Sequence, residues 1–190
     1  MKTRTLIIPG WQGSGPGHWQ SLWEREHPEY ERVEQRDWAR PRVVEWVTAL
    51  HERVVASSSP VVLAAHSLGV VVVAWWAYLQ PDLARERIAG ALLVAPCDLE
   101  SGRCLPEELT AFPAPPPEAL PFPSTLVGSE NDPYASLELA RRIAVRLGSE
   151  FVNAGRAGHL NSASGHGPWP QGQELLGGLV RAARSRQIAA

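Results

Sequence analysis

The stretch Val61-Val62-Leu63-Ala64-Ala65-His66-Ser67-Leu68-Gly69, running straight into an apolar segment, has the composition of an activated serine. A nucleophilic serine needs its Oγ thrust out of a tight strand-to-helix turn, in strained backbone geometry. Such a turn brings strand and helix so close that the residues two before and two after the serine must be small. Ala65 and Gly69 meet that requirement, although the commoner pattern, G-x-S-x-G, has glycine at both places. Leu68 N–H then stands at a helix N-terminus, aimed at a developing oxyanion. A lone S-x-G would read as a helix cap. The strand before Ser67, His66 beside it and the helix after it favour the nucleophile.

A serine nucleophile needs a base and a group to orient that base. In Leu126-Val127-Gly128-Ser129-Glu130-Asn131-Asp132-Pro133-Tyr134 an apolar strand runs into Asp132, just ahead of a helix expected to begin at Pro133. Asp132 is the candidate acid; its competing role is as N-cap of that helix, and Glu130 and Asp98 are rival acids. The base is expected after the last strand, where Gly155-Arg156-Ala157-Gly158-His159-Leu160-Asn161 offers His159. His166 is the rival, farther from the strand end and so less well fixed. His66 should leave the turn in another direction, and His27 and His51 look like solvated helix residues. The expected chemistry is acyl transfer to water: Ser67 attacks a carbonyl, His159 takes its proton and Asp132 holds the imidazole.

The loop Ile8-Pro9-Gly10-Trp11-Gln12-Gly13-Ser14-Gly15-Pro16-Gly17-His18-Trp19 supplies the second half of the site. The first N–H beyond the Pro-Gly turn belongs to Trp11, the second candidate oxyanion donor beside Leu68. Gln12, His18, Trp19 and His66 are candidate pocket residues; Trp11 and Trp19 could wall an acyl pocket, although each taken singly fits the core better. The loop contains neither G-x-G-x-x-G nor G-x-x-x-x-G-K-[ST], so it is not read as a phosphate cradle. No two histidines have ligand spacing on a helix, so no metal is expected.

These residues must be positioned by the elements between them. Hydrophobic period predicts strands at 5–8, 31–36, 61–65, 88–95, 124–128 and 150–153. Helices are predicted from Pro16, from Pro41, over 67–79 with a stop at Pro81, from Pro133 to Leu147 with Gly148 as terminator, and over 173–184. This alternation implies a three-layer α/β domain spanning 1–190, with a mostly parallel sheet of about six strands in the order 2-1-3-4-5-6. Strands 1 and 3 are then neighbours, and the loop after Ile8 faces Ser67 across the point where the strand order reverses. The interval 96–123 breaks the rhythm, with eight prolines in 28 residues. It is read as a semi-rigid flap, too short and proline-rich for a helical cap.

Net charge is −2 with 20% charged residues, which gives no pull toward nucleic acid or an anionic membrane. The opening apolar run Leu6-Ile7-Ile8 is too short for a signal-peptide core, so a cytoplasmic location is expected. Cys97 and Cys104 are accordingly read as reduced thiols. The expected partner is a small-molecule ester or amide; monomer and homodimer are equally compatible with the sequence.

Gly10-Trp11-Gln12-Gly13-Ser14 with Gly17-His18-Trp19, then Ala65-His66-Ser67-Leu68-Gly69, Asn131-Asp132-Pro133-Tyr134 and Gly158-His159-Leu160-Asn161, resemble the small α/β-hydrolases related to retinoblastoma-binding protein 9. The resemblance runs in order over nearly the whole chain. It implies a Ser67–Asp132–His159 triad, no cofactor, and esterase-like or amidase-like activity on poorly defined substrates. That family's name refers to binding through an L-x-C-x-E peptide, a role that does not carry over, because Ala95 and Gly102 stand where the leucine should be. The alternatives are an amidase or peptidase using the same triad, and a non-catalytic binding module on a hydrolase scaffold.

Overall fold

A computed structural model describes residues 3–101 and 106–189. Six strands form one parallel sheet: β1 (Arg4–Ile8), β2 (Tyr30–Arg32), β3 (Val61–His66), β4 (Ile88–Val94), β5 (Ser124–Gly128) and β6 (Glu150–Asn153). Their order is β2-β1-β3-β4-β5-β6, as expected. β1 pairs with β3 over Arg4↔Val61 to Ile8↔Ala65, so both strands end side by side and their following loops meet.

Alternation along the strands sorts side chains into two cores. Leu6, Ile8, Leu63, Ala65, Leu93 and Leu126 face α2 (Val43–Val55), α3 (Leu68–Leu79), α4 (Pro81–Arg87) and α5 (Leu137–Leu147). Ile7, Val62, Ala64, Leu92, Val94 and Val127 face α1 (Trp19–Glu26) and α6 (Pro170–Ala189). With both faces covered, β3 is buried at every position, which is why Val61 to His66 reads as a continuous apolar run.

Several boundaries differ from expectation, each for a local reason. Pro81 ends α3 but opens a further helix, α4, where a proline at the first position gives up no intrahelical bond. α1 starts at Trp19 behind His18, not at Pro16. α5 starts at Leu137 behind Ser136, whose side chain accepts the Leu139 N–H, so the turn from Pro133 lies outside it. β2 is confined to Tyr30–Arg32 on the sheet edge, and α6 extends beyond the expected 173–184 at both ends.

Between β4 and β5, the described part of 96–123 forms only a 3₁₀ turn at Glu107–Leu109. Leu109, Phe112 and Phe122 are buried, so the segment is a strap packed onto the core, and the fold has no large cap domain. Among the described residues no helix is long and apolar enough to cross a membrane.

Candidate active site

Ser67 lies in the one-residue turn between β3 and α3, at φ +53° and ψ −118°. A non-glycine residue there costs on the order of 1–3 kcal/mol, so the surrounding structure must over-determine it. Ser67 N–H extends the sheet by donating to Val94 O at 2.9 Å. Two glycines make the close approach possible. A Cβ on Gly69 would collide with the Ile8 carbonyl oxygen, and one on Gly10 would stand 2.9 Å from Ser67 Cβ and 3.3 Å from Leu68 N.

The structure brings Ser67, His159 and Asp132 together. His159 Nδ1 lies 2.9 and 3.0 Å from the two carboxylate oxygens of Asp132, which can only accept, so Nδ1 carries the proton. Nε2 is then the acceptor and lies 3.0 Å from Ser67 Oγ. The Asp132 side chain is 3% exposed and also accepts the Tyr134 N–H at 2.9 Å. It does not cap α5; Ser136 does.

The rival residues are turned elsewhere. Glu130 accepts from Asn153 Nδ2, Asp98 accepts from the Glu100 and Ser101 N–H groups of its own loop, and His166 Nδ1–H donates to Ser164 O.

His159 sits in a strained loop, with Gly158 at φ +58° and Leu160 at φ +48°. Four side chains hold that loop. Asn131 Oδ1 accepts the Gly158 N–H at 2.8 Å and Ser129 Oγ accepts the Ala157 N–H at 3.0 Å, tying it to the loop that carries Asp132. From below, Trp19 Nε1–H donates to Leu160 O and His66 Nε2–H donates to His159 O, each at 2.9 Å. Trp19, expected on the pocket wall, is fully buried and belongs to this support instead. Ser129 and Asn131 were not singled out from the sequence; their only signal is a polar cluster at a strand's carboxyl end.

A cleft of about 350 Å³ opens above Ser67. Trp11, Gln12, His18 and His66 line it, together with Leu109 and Pro106 of the strap. Leu68 is the first residue of α3, so its N–H has no acceptor within the helix. Trp11 follows Gly10 in the chain, and its indole is anchored to Ala39 O at 2.8 Å. Gln12 is exposed, at φ +62°. Cys97, also in the lining, has a free thiol that burial pushes up to about 12, which keeps it protonated at neutral pH. Cys104 lies outside the described residues.

His18 and His66 are buried without charge. Burial, with His159 and Arg32 nearby, holds the His18 pKa down at about 3. Burial, then His159 and His18, hold His66 well below its ordinary value. Below about pH 6.5 the unfolded chain protonates both while the folded chain does not, so their contribution is complete above that pH and is lost as pH falls. Each costs up to about 1.4 kcal/mol of stability per pH unit in that range. Urea unfolding at about pH 7.5 and about pH 5 should show this loss. It should be smaller in His66→Gln, which keeps a donor for His159 O; an equal loss in both proteins would contradict the assignment.

The sheet order, the strained serine between β3 and α3, and the acid and histidine loops after β5 and β6 define an α/β-hydrolase fold. The serine hydrolase family profile matches residues 5–178, and the chain belongs to that family. A YdeN-like hydrolase of Pectobacterium atrosepticum is 31% identical, covering 96% of this chain and 91% of its own, with a TM-score of 0.81. The ydeN gene product of B. subtilis is 16% identical over 94% of this chain and 98% of its own, with a TM-score of 0.72. Est1E of Butyrivibrio proteoclasticus, with ferulic acid bound, is 13% identical over 100% of this chain and 90% of its own, with a TM-score of 0.64. No curated protein matches the chain.

Proposed function

We propose that this serine hydrolase cleaves small carboxylic esters through an acyl-enzyme on Ser67. The observation that carries the reading is the continuous hydrogen-bonded line from Ser67 Oγ through His159 to the Asp132 carboxylate. Ser67 Oγ attacks the ester carbonyl as its proton passes to His159 Nε2, and Asp132 stabilises the imidazolium that forms. The Leu68 and Trp11 N–H groups receive the oxyanion, each worth on the order of 3 kcal/mol in such sites. His159 returns the proton to the departing alkoxide, and a water activated by the same nitrogen releases the acid and restores Ser67. Within the serine hydrolases, the order of the four motifs supports kinship with those related to retinoblastoma-binding protein 9.

Ester preference is tested by comparing p-nitrophenyl butyrate with butyryl p-nitroanilide; faster turnover of the anilide would reassign the protein as an amidase. The cleft holds about 350 Å³, is bounded by a packed strap, and is lined largely by polar groups, so long acyl chains have little apolar surface to bury at roughly 0.8 kcal/mol per methylene. Activity on p-nitrophenyl esters should peak at about two to four acyl carbons, without activation at a lipid interface. A maximum at about eight carbons or more would reveal an acyl tunnel that this cleft does not provide.

A further inference from the structure

His18 caps α1 with its own ring: Nδ1 accepts the Gln20 N–H at 3.2 Å. A neutral imidazole that accepts at Nδ1 carries its proton on Nε2, and burial keeps this ring neutral. Its Nε2–H meets no acceptor among the described residues, although the residue is only 5% exposed. Leaving a buried donor unmatched costs about 1–3 kcal/mol, and such groups in native folds call for an explanation. His18 lines the same cleft as Ser67, and its ring stands 4.7 Å from that of His66, which in turn stands 4.8 Å from that of His159. The chain just before it runs against the base loop, since a Cβ on Gly17 would lie 3.8 Å from Ser162 Cβ. On the mechanism proposed above, the reacting carbonyl faces the Leu68 and Trp11 N–H groups, beside Gly10. His18 is therefore placed to meet what extends from that carbonyl.

We propose that His18 is a specificity residue whose Nε2–H donates to a second oxygen of the substrate. The site would then favour esters carrying an ether, hydroxyl or carbonyl oxygen near the reacting carbon over their all-alkyl counterparts. The proposal rests on the reading of Ser67 as the nucleophile.

Isosteric substrates separate the two readings. p-Nitrophenyl methoxyacetate differs from the butyrate by one oxygen in place of a methylene in the acyl group. 2-Methoxyethyl acetate differs from butyl acetate in the same way in the alcohol. In at least one pair, wild-type kcat/KM should favour the oxygen-bearing ester by about tenfold more than hydroxide-catalysed hydrolysis does, the worth of one hydrogen bond. His18→Asn keeps an acceptor for Gln20 N–H but has no donor at the reach of Nε2, and should erase that preference. His18→Gln places an amide N–H near the Nε2 position and should restore it in part. A wild-type preference no greater than that of hydroxide in both pairs overturns the proposal, as does a preference that survives in His18→Asn. Either result leaves ester hydrolysis by Ser67 standing, whereas failure of the wild type to turn over any of the four esters removes both readings.

Discussion

Replacing Ser67 with alanine is expected to reduce kcat by on the order of 10⁵–10⁶, to the residual rate that oxyanion binding alone supports. The loss should fall on kcat and leave substrate binding nearly intact, because the Oγ hydrogen bond to His159 serves activation and the bond from Oγ to carbon forms only in the reaction. The fold should not suffer. Ser67 N–H keeps its bond to Val94 O whatever the side chain, and alanine retains the Cβ that packs against Gly10. A thermal midpoint within about 2 °C of wild type is therefore expected. Ser67→Gly should go further and raise the midpoint by about 2–4 °C, since glycine occupies φ +53° without the steric cost. Turnover retained in Ser67→Ala, measured with the ester that the wild type cleaves best, would remove the reading altogether.

Asp132→Asn should lower kcat by roughly 10⁴. An asparagine can present its amide N–H to Nδ1, which puts the histidine proton on Nε2 and leaves nothing there to accept from Ser67 Oγ. His159→Ala should cost at least as much, since it removes the only nitrogen within hydrogen-bond distance of Oγ among the described residues. Glu130→Gln, Asp98→Asn and His166→Ala should each stay within about tenfold of wild type, because their side chains are engaged by groups other than Ser67 and His159. Burst kinetics separate acylation from deacylation in each variant. A larger loss in His166→Ala than in His159→Ala would show that the two loops exchange roles in the working enzyme.

The strained strand-to-helix turn at Ser67 was legible because its close approach demands small residues at fixed places, and Ala65 and Gly69 supply them after a buried strand. The meeting of Asp132 and His159 beside Ser67 was legible because the two residues follow β5 and β6 directly, where a parallel sheet gathers its loops. Other features depend on contacts that chain order does not reveal. Trp19 has the composition of a pocket wall and of a core residue alike; only the position of Leu160 O, far along the chain, decides for the core. Ser129 and Asn131 look like ordinary loop polarity until Ala157 and Gly158 are brought against them. Pro81 marks a break, and nothing local says whether a loop or a fresh helix follows it. The strap from Pro106 to Phe122 has little period to read, because its few apolar anchors, Leu109, Phe112 and Phe122, are spaced by the surface they cover.

The central claim is that Ser67 is an activated nucleophile, and covalent labelling tests it most directly. A fluorophosphonate is attacked at phosphorus by a serine whose proton a neighbouring base removes; fluoride leaves, and the reagent's phosphoryl oxygen occupies the oxyanion site. The expected result is one adduct per chain by intact mass, located by peptide mapping on Ser67, lost in Ser67→Ala and slowed by orders of magnitude in His159→Ala. An unlabelled wild type, or an adduct on another serine that persists in Ser67→Ala, would contradict the account.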